Sequence, residues 1–463
     1  MSNTLLRTVP GERFTPYSLA RKLNATVLLE SASFHRGRER YSILLLQEAF
    51  TVYEWGGEIH MRKDGRRFRL RSRGRDILDV LLYFANQHRD AHHPFPFPAG
   101  GVGYLSYEYA QQFDSVKLTA KADSLALPAA QFIFGHVFVV FDHYTDALTL
   151  VGLNYREHEI DLGDALDAAE ARINDMDFNY LATAPGVSQA TVSGDGDEEW
   201  FLDGVEFLRG EIIRGNLFQA VLSRRVSVET DLSALAAYRE LRSSNPSPYM
   251  FYLDFGEFQL FGASPEVHVK AKDGRGTLRP IAGTRRRGAS HQEDADLEAD
   301  LLADEKELAE HLMLVDLARN DLGRVCKPGT VSVSERNIIE RYSHVMHIVS
   351  QVEGDLLPGQ NGLDAIRATF PAGTVTGAPM IQAMQTVDAI ERETRGFYAG
   401  IVGYMEPNGW LDTCIAIRTA VKKGNRLVLH AGAGVVYDSV PQLEYRETAS
   451  KLGALAAAVG VEV

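Results

Sequence analysis

The stretch 429–451, LHAGAGVVYDSVPQLEYRETASK, constrains the fold more than any other part of the sequence. An apolar strand runs through Gly432 and Gly434 into a turn, and a helix follows the turn. Ser439 is the expected N-cap of this helix, with Pro441 in its first turn. The stretch therefore predicts a strand whose small residues leave backbone amides open beside the start of a helix.

Charged residues recur on one face of that predicted helix. Glu444, Glu447 and Lys451 are spaced i, i+3 and i+7, so their side chains share a face. Two carboxylates and an ammonium beside glycine amides could hold a metal ion and an anionic substrate together. The alternative interpretation is a solvated helix face, on which Glu and Lys are common.

A second stretch, 296–321, predicts one long helix that stops before Gly323. Its expected apolar side consists of Leu308, Leu312, Val315 and Leu317. Glu307 and Glu310 again stand at i and i+3. Two helices with paired glutamates offer oxygen ligands of the kind that Mg²⁺ prefers.

Composition bounds the class of protein. The chain has 463 residues, of which 45% are hydrophobic, enough for a large core in one elaborate domain or two. The net charge of −14 argues against a nucleic-acid or anionic-membrane partner. The two cysteines, Cys326 and Cys414, form neither a disulfide framework nor a zinc cluster, and this predicts a reducing, cytoplasmic location. The N-terminus lacks the apolar core of a signal peptide, and the longest apolar run, 132–141, is too short to span a bilayer.

The order of predicted elements indicates an α+β fold. Strands and helices mix without regular βαβ alternation, which favours layered mixed or antiparallel sheets flanked by helices over a doubly wound sheet. The polar, small and acidic segment 178–198 is the expected linker. It divides a smaller N-terminal α+β region, 1–178, from a second region, 199–463.

Two charged residues stand out from apolar surroundings. Arg418 lies within CIAIRTAV, which predicts a strand, and an inward-facing Arg would need a buried anionic partner such as a carboxylate. The alternative is an Arg that reaches solvent at the edge of the sheet. Glu266 follows Ser264 and Pro265 at a strand start, where partial desolvation would suit a carboxyl that acts as an acid.

Other motifs are ambiguous or missing. The segment GTVTGAP, 373–379, precedes a predicted helix and could bind an anion through its amides, but a structural turn explains it equally well. His344 and His347 form an HxxH pair in a strand-like run, where core histidines are favoured over a zinc pair. The sequence has no GxxxxGK[ST], HExxH, GxSxG or GxGxxG motif.

Several segments together resemble the chorismate-utilising enzymes, and most closely the branch that forms anthranilate. They are PIAGTRRRG (280–288), KELAEHLMLVDLARNDLGRV (306–325), RYSHVMH (341–347), FPAGTVTGAP (370–379), YAGIVGY (398–404), LDTCIAIRTA (411–420) and AGAGVVYDSVPQLEYRET (431–448). The segments LLES (28–31), GGVGYLSYE (100–108) and NPSPYMFY (245–252) extend the resemblance to most of the chain. The resemblance implies the family's α+β fold, with 199–463 as the chorismate-binding catalytic domain.

The resemblance also implies roles for individual residues. Glu310 and Glu447 would bind Mg²⁺ directly, and Glu307 and Glu444 would hold waters on the metal. Tyr398, Arg418 and the amides around Gly432, Ala433 and Gly434 would bind the enolpyruvyl carboxylate of chorismate. Gly283 and Thr284 would line the ring, and Lys451 with Mg²⁺ would take the ring carboxylate. Glu266, His347 and Thr374 would serve catalysis, with Glu266 as the acid for the departing C4 hydroxyl and His347 near the elimination step.

A feedback site in the N-terminal region is implied as well. The residues that match a tryptophan-binding pocket are Glu30, Ser31, Pro248, Tyr249 and Met250. Met380 departs from the family pattern, in which Lys follows GAP, so the role of that position stays open.

Ala282 separates the chemistries within the family. Members that form 4-amino-4-deoxychorismate carry a nucleophilic Lys there, whereas alanine requires an external nucleophile. The resemblance therefore implies that ammonia, supplied by a glutamine amidotransferase subunit in a heterotetramer, converts chorismate to anthranilate and pyruvate. Alternatives are an amino-deoxyisochorismate or isochorismate synthase, or a non-catalytic metabolite sensor, which the full set of charged residues disfavours.

Overall fold

The structure is a computed structural model, and it describes most of the chain: residues 3–31, 40–90, 93–119, 121, 125–179, 190–194, 198–342 and 345–463. The elements before the expected linker are β1 (Thr4–Pro10), α1 (Pro16–Leu23), β2 (Val27–Glu30), β3 (Tyr41–Trp55), β4 (Glu58–Lys63), β5 (Arg66–Arg69), α2 (Ile77–Ala85), β6 (Val102–Leu105), α3 (Ala110–Phe113), β7 (Ala130–Asp142), β8 (Ala147–Leu153) and α4 (Leu162–Asn174).

The later elements include the two glutamate-bearing helices. In chain order they are β9 (Ala190–Gly194), α5 (Glu198–Ile213), β10 (Gln219–Thr230), α6 (Ala234–Ser244), β11 (Tyr249–Asp254), β12 (Gln259–Ser264), β13 (Val267–Lys272), β14 (Arg275–Leu278), β15 (Ile281–Arg286), α7 (His291–Ala303), α8 (Glu305–Gly323), β16 (Ser332–Arg341), β17 (Val345–Asp355), α9 (Gly362–Thr369), β18 (Gly377–Ala378), α10 (Met380–Ile390), β19 (Ile401–Met405), β20 (Leu411–Ile415), β21 (Thr419–Lys423), β22 (Arg426–Val435) and α11 (Pro441–Ala457).

Two runs of antiparallel strands meet where β3 pairs with β7. From β3, one run passes through β2, β11, β12, β21 and β22 to β10. From β7, the other passes through β6, β19, β20, β13 and β14 to β17, which also pairs with β15 and β16. The predicted α+β class with helix-flanked sheets is confirmed, and the described strands pair in the antiparallel sense throughout.

Strands from both sides of the expected linker belong to this one network. β2 pairs with β11, and β6 pairs with β19. Most of the linker, 180–189 and 195–197, lies outside the described residues. The division into 1–178 and 199–463 stays a prediction, and the sheet runs across it.

Buried apolar side chains hold the layers together. One cluster includes Phe50, Phe134 and Val269 from both strand runs, each at most 1% exposed. A second lies beneath α1, α4, α6 and α11 and includes Leu429 of β22 and Leu452 of α11, both fully buried. α11 packs against β22, and burying one leucine side chain stabilises the fold by about 2 kcal/mol, so this cluster holds α11 against the strand that precedes it.

The prediction of one helix over 296–321 is wrong. α7 ends at Ala303 and α8 begins at Glu305, because Asp304 adopts extended backbone angles (φ −77°, ψ 105°). Its side chain accepts hydrogen bonds from the amides of Lys306 and Glu307, at 3.0 and 3.2 Å, as an N-cap does. The break places Glu307 in the first turn of α8, where the helix dipole favours a negative charge.

The expected apolar side of that helix is also partly wrong. Leu312 is 48% exposed, whereas the face of α8 that packs inward carries His311, Leu314, Val315, Ala318 and Leu322. No helix among the described residues is both long and apolar enough to cross a membrane.

The strand, turn and helix predicted over 429–451 form as β22 and α11, but the cap differs. Val440 is the N-cap, and Ser439 instead accepts a hydrogen bond from the amide of Val436 at 3.0 Å. Pro441 opens the helix as expected.

Candidate active site

The two glutamate helices come together at their N-terminal ends. The Lys306 ammonium at the start of α8 pairs with Asp438, just before α11, at 2.9 Å. Burial raises the pKa of Glu310, and the charges of Glu307 and Glu447 raise it further. The carboxylates of the two helices therefore repel one another, and a cation between them would relieve that repulsion.

The glutamates fit Mg²⁺ in donor type and charge. Burial and the charge of Glu447 also raise the pKa of Glu444. Within the described part of the chain, no three acidic, His or Cys side chains converge closely enough to hold a metal by themselves. Mg²⁺ usually takes one or two protein carboxylates and keeps several waters, so such a site is completed by water and substrate.

Lys451 connects α11 to the small-residue end of β22. Its ammonium forms an ion pair with Glu447 and donates a hydrogen bond to the carbonyl oxygen of Gly432 at 2.9 Å. Burial lowers the pKa of Lys451, while the side chain stays 27% exposed. The ammonium is therefore held at a fixed place beside the glutamates with one side open.

Gly432 lets a tyrosine hydroxyl approach the backbone of β22. A Cβ atom at this position would lie 2.8 Å from the hydroxyl oxygen of Tyr398, so a side chain here would displace the tyrosine. The Tyr398 ring stacks on His430 at a centroid distance of 4.2 Å. Burial raises the pKa of Tyr398 to about 12, which keeps the hydroxyl a hydrogen-bond donor at neutral pH.

One edge of β22 is open at the predicted amides. β21 pairs with β22 only as far as Leu429, whereas β10 follows the other edge past Gly432, Ala433 and Gly434. On the open edge, alternate backbone amides have no strand partner in the described structure. The strand therefore offers hydrogen-bond donors beside Tyr398 and Lys451.

Arg418 does not lie within a strand, so that part of its prediction is wrong. It occupies the bend between β20 and β21 with φ of +52°, a left-handed conformation that costs a non-glycine residue about 1–2 kcal/mol. Tertiary packing fixes the bend, since the carbonyl oxygen of Arg418 accepts a hydrogen bond from the amide of Ala263 at 3.1 Å.

The Arg418 guanidinium is partly buried and has no carboxylate partner among the described residues. Burial lowers its pKa, and Tyr398, Glu266 and Glu447 are the nearby groups that counter this. A cation that is desolvated without an ion pair is costly, so its surroundings favour an anion from solution.

Glu266 and Thr374 are in direct contact. Thr374 donates a hydrogen bond from its hydroxyl to the Glu266 carboxyl at 2.9 Å. Burial raises the pKa of Glu266 to about 7, although the Thr374 bond and the charge of Arg418 lower it. Glu266 is therefore partly protonated at neutral pH and can act as a proton donor.

His347 of β17 faces the bulge in β15. Its Nδ1 lies 3.0 Å from the Thr284 hydroxyl and 3.1 Å from the carbonyl oxygen of Gly283. Gly283 has φ of +69°, and a Cβ atom there would lie 3.2 Å from a carboxylate oxygen of Glu307. Glycine thus allows β15 to approach α8 closely. Burial lowers the pKa of His347, so its ring is neutral at neutral pH.

Arg285 is a residue of this site that the sequence analysis missed. Its guanidinium bonds Asp300 at 2.6 Å and Asp304 at 2.8 Å, and it lies 3.4 Å from Glu307. It fastens β15 to α7 and α8 beside the glutamates. The signal in the sequence that could have found it was the run of three arginines, 285–287, which shortly precedes an acidic helical stretch.

The five residues of the expected tryptophan site line one cavity of about 180 Å³, away from the glutamate helices. The Glu30 carboxylate is already bound by Tyr238 at 2.8 Å and by Arg242 at 2.8 and 2.9 Å. The Ser31 hydroxyl is buried without a hydrogen-bond partner in the described structure. Ser31, rather than Glu30, is therefore the group that a ligand would satisfy.

Two residues that the sequence singles out receive no role from the structure. His344 lies outside the described residues. Met380 opens α10 after Pro379, and nothing in its surroundings assigns it a role.

Comparison with known proteins defines the class. The family model for chorismate binding enzymes matches residues 48–457, and the chain belongs to that family. It is 58% identical to anthranilate synthase component 1 of Spirochaeta aurantia, over 99% of this chain and 96% of that protein. It is 41% identical to anthranilate synthase component 1 of Cereibacter sphaeroides, over 95% and 91% of the two chains. The resemblance to the anthranilate-forming branch is thus confirmed.

Solved structures of chorismate-utilising enzymes have the same fold. The crystal structure of anthranilate synthase component I from Streptococcus pneumoniae superposes with a TM-score of 0.81 at 36% identity, covering 90% of this chain and 92% of that one. The menaquinone-specific isochorismate synthase of Escherichia coli has a TM-score of 0.73 at 19% identity, covering 98% and 94%, and shares the fold alone.

Proposed function

We propose that the chain is the chorismate-converting component of an anthranilate synthase, which forms anthranilate and pyruvate from chorismate and ammonia. The observation that carries this proposal is that the partly buried Arg418, which has no carboxylate partner among the described residues, lies near a Glu266 carboxyl whose pKa is about 7. The first suits a carboxylate substrate, and the second suits loss of a hydroxyl group. The relatives named anthranilate synthase component 1 support the same activity.

Binding falls to groups around β22. Arg418, the Tyr398 hydroxyl and the alternate amides that face the open edge at 432–434 receive the enolpyruvyl carboxylate. Lys451 receives the ring carboxylate. Two separated carboxylate subsites orient the ring, and orientation of this kind accounts for a large share of the barrier reduction in such sites.

Glu266 acts in the first chemical step. Ammonia adds at C2, the ring double bonds shift, and the C4 hydroxyl leaves as water with the proton that Glu266 supplies. Thr374 donates to one carboxyl oxygen, so the proton resides on the other. General acid catalysis of this kind contributes about 10²–10⁴-fold.

His347 is the candidate base for the second step. Because a carbonyl only accepts, the contact with Gly283 requires that Nδ1 carries the hydrogen, and this tautomer leaves Nε2 as the acceptor. Nε2 can then take the C2 proton as the C3–O bond breaks. The departing enolpyruvate takes up a proton at its methylene carbon and becomes pyruvate, and the ring becomes aromatic.

Glu310 and Glu447 would hold Mg²⁺, with Glu307 and Glu444 behind its waters. The ion, when bound, neutralises carboxylate charge on the substrate. The raised pKa values of Glu310 and Glu444 support this assignment, because a cation removes the repulsion between the glutamates.

The nitrogen would come from a glutamine amidotransferase subunit, in a cytoplasmic heterotetramer. Ala282 provides no nucleophile. Burial raises the pKa of both Cys326 and Cys414, so neither is the thiolate that glutamine hydrolysis needs. The cavity at Ser31 and Met250 would bind tryptophan and give feedback in tryptophan biosynthesis.

One turnover assay tests the proposal. The purified chain is mixed with chorismate, Mg²⁺ and an ammonium salt, and anthranilate is followed by fluorescence and pyruvate by coupled reduction. We expect both products in equal amounts. Accumulation of isochorismate or amino-deoxyisochorismate, identified by mass, would refute the assignment, and so would absence of chorismate consumption.

A further inference from the structure

The hairpin of β4 and β5 concentrates positive charge in a chain whose net charge is −14. Arg62 lies directly opposite Arg67, and Lys63 lies opposite Arg66. Like charges in directly opposed positions destabilise a strand pair. In the described structure, Arg62, Arg67 and Lys63 form no ion pair with a carboxylate. Arg69, by contrast, is paired with Glu58 at 2.9 Å. The hairpin therefore favours a negative charge from outside the chain.

The opposed arginines of this hairpin line a cavity. Arg62, Arg67 and Lys423 all contribute to a space of about 360 Å³, within the range of small-molecule sites, which is about 300–1,000 Å³. Its aromatic wall consists of Tyr53, Trp55, Phe255 and Phe258. Glu257, the carboxylate in this lining, is exposed. The cavity is thus lined by cationic and aromatic side chains together.

Local contacts hold the cations in place. Arg62 donates to the carbonyl oxygen of Phe255 at 3.1 Å, and Lys423 donates to that of Leu125 at 2.6 Å. The Arg67 guanidinium lies over the Tyr53 ring, 5.5 Å from its centroid. Each cation keeps further donors, because an arginine has five N–H groups and a lysine three.

The buried part of the aromatic wall is held by ring packing. Phe255 and Phe258 stack at a centroid distance of 4.9 Å and are 1% and 4% exposed. Tyr104 meets both rings edge-on, at 5.6 and 6.2 Å. These rings form a fixed apolar base, and Trp55, which is 46% exposed, offers the accessible ring face, so the lining suits a planar aromatic ligand more than a flexible chain.

We propose that this cavity binds a small aromatic carboxylate, its ring against the aromatic wall and its carboxylate on Arg67 and Lys423. The apolar base of the cavity, where Phe255 and Phe258 are 1% and 4% exposed, favours this class of ligand over an extended polyanion. The cavity shares no lining residue with the candidate active site or with the cavity at Ser31, so the inference is independent of the proposed function.

Trp55 provides the measurement. The chain has three tryptophans, and replacing Trp200 and Trp410 by Phe leaves Trp55, 46% exposed, as the single indole. Benzoate is the probe, with acetate and benzyl alcohol supplying the carboxylate and the ring separately. We expect saturable quenching by benzoate at concentrations at least about tenfold below those that acetate or benzyl alcohol require.

Arg67→Gln is the test variant, and Arg66→Gln is its matched control on the same strand outside the cavity lining. Arg67→Gln should weaken benzoate binding about tenfold, and Arg66→Gln should leave it within about twofold. Lys423→Gln, with calorimetry in place of fluorescence, repeats the test on a different strand. Equal losses in Arg66→Gln and Arg67→Gln, equal affinity for acetate, or no saturable signal would each overturn the proposal.

Discussion

Replacing Glu266 by Gln should make the protein more stable at alkaline pH while it destroys activity. Burial raises the pKa of Glu266 from the ordinary 4.5 to about 7, with the charges of Arg418 and Lys451 already included. Because the folded state binds this proton more tightly than the unfolded state does, protonation of Glu266 stabilises the fold. That stabilisation is complete below about pH 4.5, and it is lost as pH rises through about 7. Ionised Glu266 then costs about 3 kcal/mol, or about 2 kcal/mol once partial exposure is allowed for.

Glutamine keeps the acceptor for Thr374 but has no charge to desolvate. The free energy of unfolding, from urea titrations at about pH 5 and about pH 8.5, should therefore rise by about 2 kcal/mol more at the higher pH. Turnover should fall about 10²–10⁴-fold, because amide nitrogen is no general acid. Glu229→Gln, on an exposed position of β10, is the control and should show neither effect. Equal stabilisation at both pH values, or near-parent turnover, would refute the reasoning.

Four further outcomes are expected. Glu310→Gln or Glu447→Gln should abolish anthranilate formation at every Mg²⁺ concentration with the circular dichroism spectrum unchanged; near-parent rates at low Mg²⁺ would contradict the metal assignment. Ser31→Arg or Met250→Thr should relieve tryptophan inhibition with little loss of basal rate, and the parent should lose chorismate affinity across a tryptophan titration. The purified chain should form anthranilate from ammonium but not from glutamine, and the rate should rise as pH approaches about 7, where the NH₃ fraction grows while Glu266 stays largely protonated; sustained glutamine-dependent formation, with contaminating glutaminase excluded, would be against a separate partner. Gly432→Ala should raise KM for chorismate at least about tenfold, because its Cβ would displace the Tyr398 hydroxyl; an unchanged KM would remove Tyr398 from the binding site.

The two glutamate pairs of the candidate site could be predicted from the sequence. The spacing of Glu307 with Glu310, and of Glu444 with Glu447, follows from helix geometry alone. The proximity of α8 to α11 depends on packing between segments more than a hundred residues apart, so the sequence alone could not establish it. Only the family resemblance joined the two pairs.

Two of the wrong predictions share a physical cause. Hydrophobic periodicity continued across Asp304, but two backbone hydrogen bonds to its side chain ended one helix and began another. Apolar neighbours predicted a strand at Arg418, but tertiary contacts impose a left-handed bend there. In both cases one residue's conformation overrode a pattern averaged over many, and such positions lie beside the candidate site.

The sheet that joins early and late strands also dictates when this chain can finish folding during synthesis. Strand β2 has no partner on one of its edges until β11 has left the ribosome. One edge of β6 likewise stays unpaired until β19 is made, late in the chain. Until then both strands present unpaired backbone edges, which invite association with other nascent chains. A truncated chain that ends before β19 would keep the β6 edge open permanently, so a late stop codon in this gene should yield aggregated protein rather than a shorter soluble one.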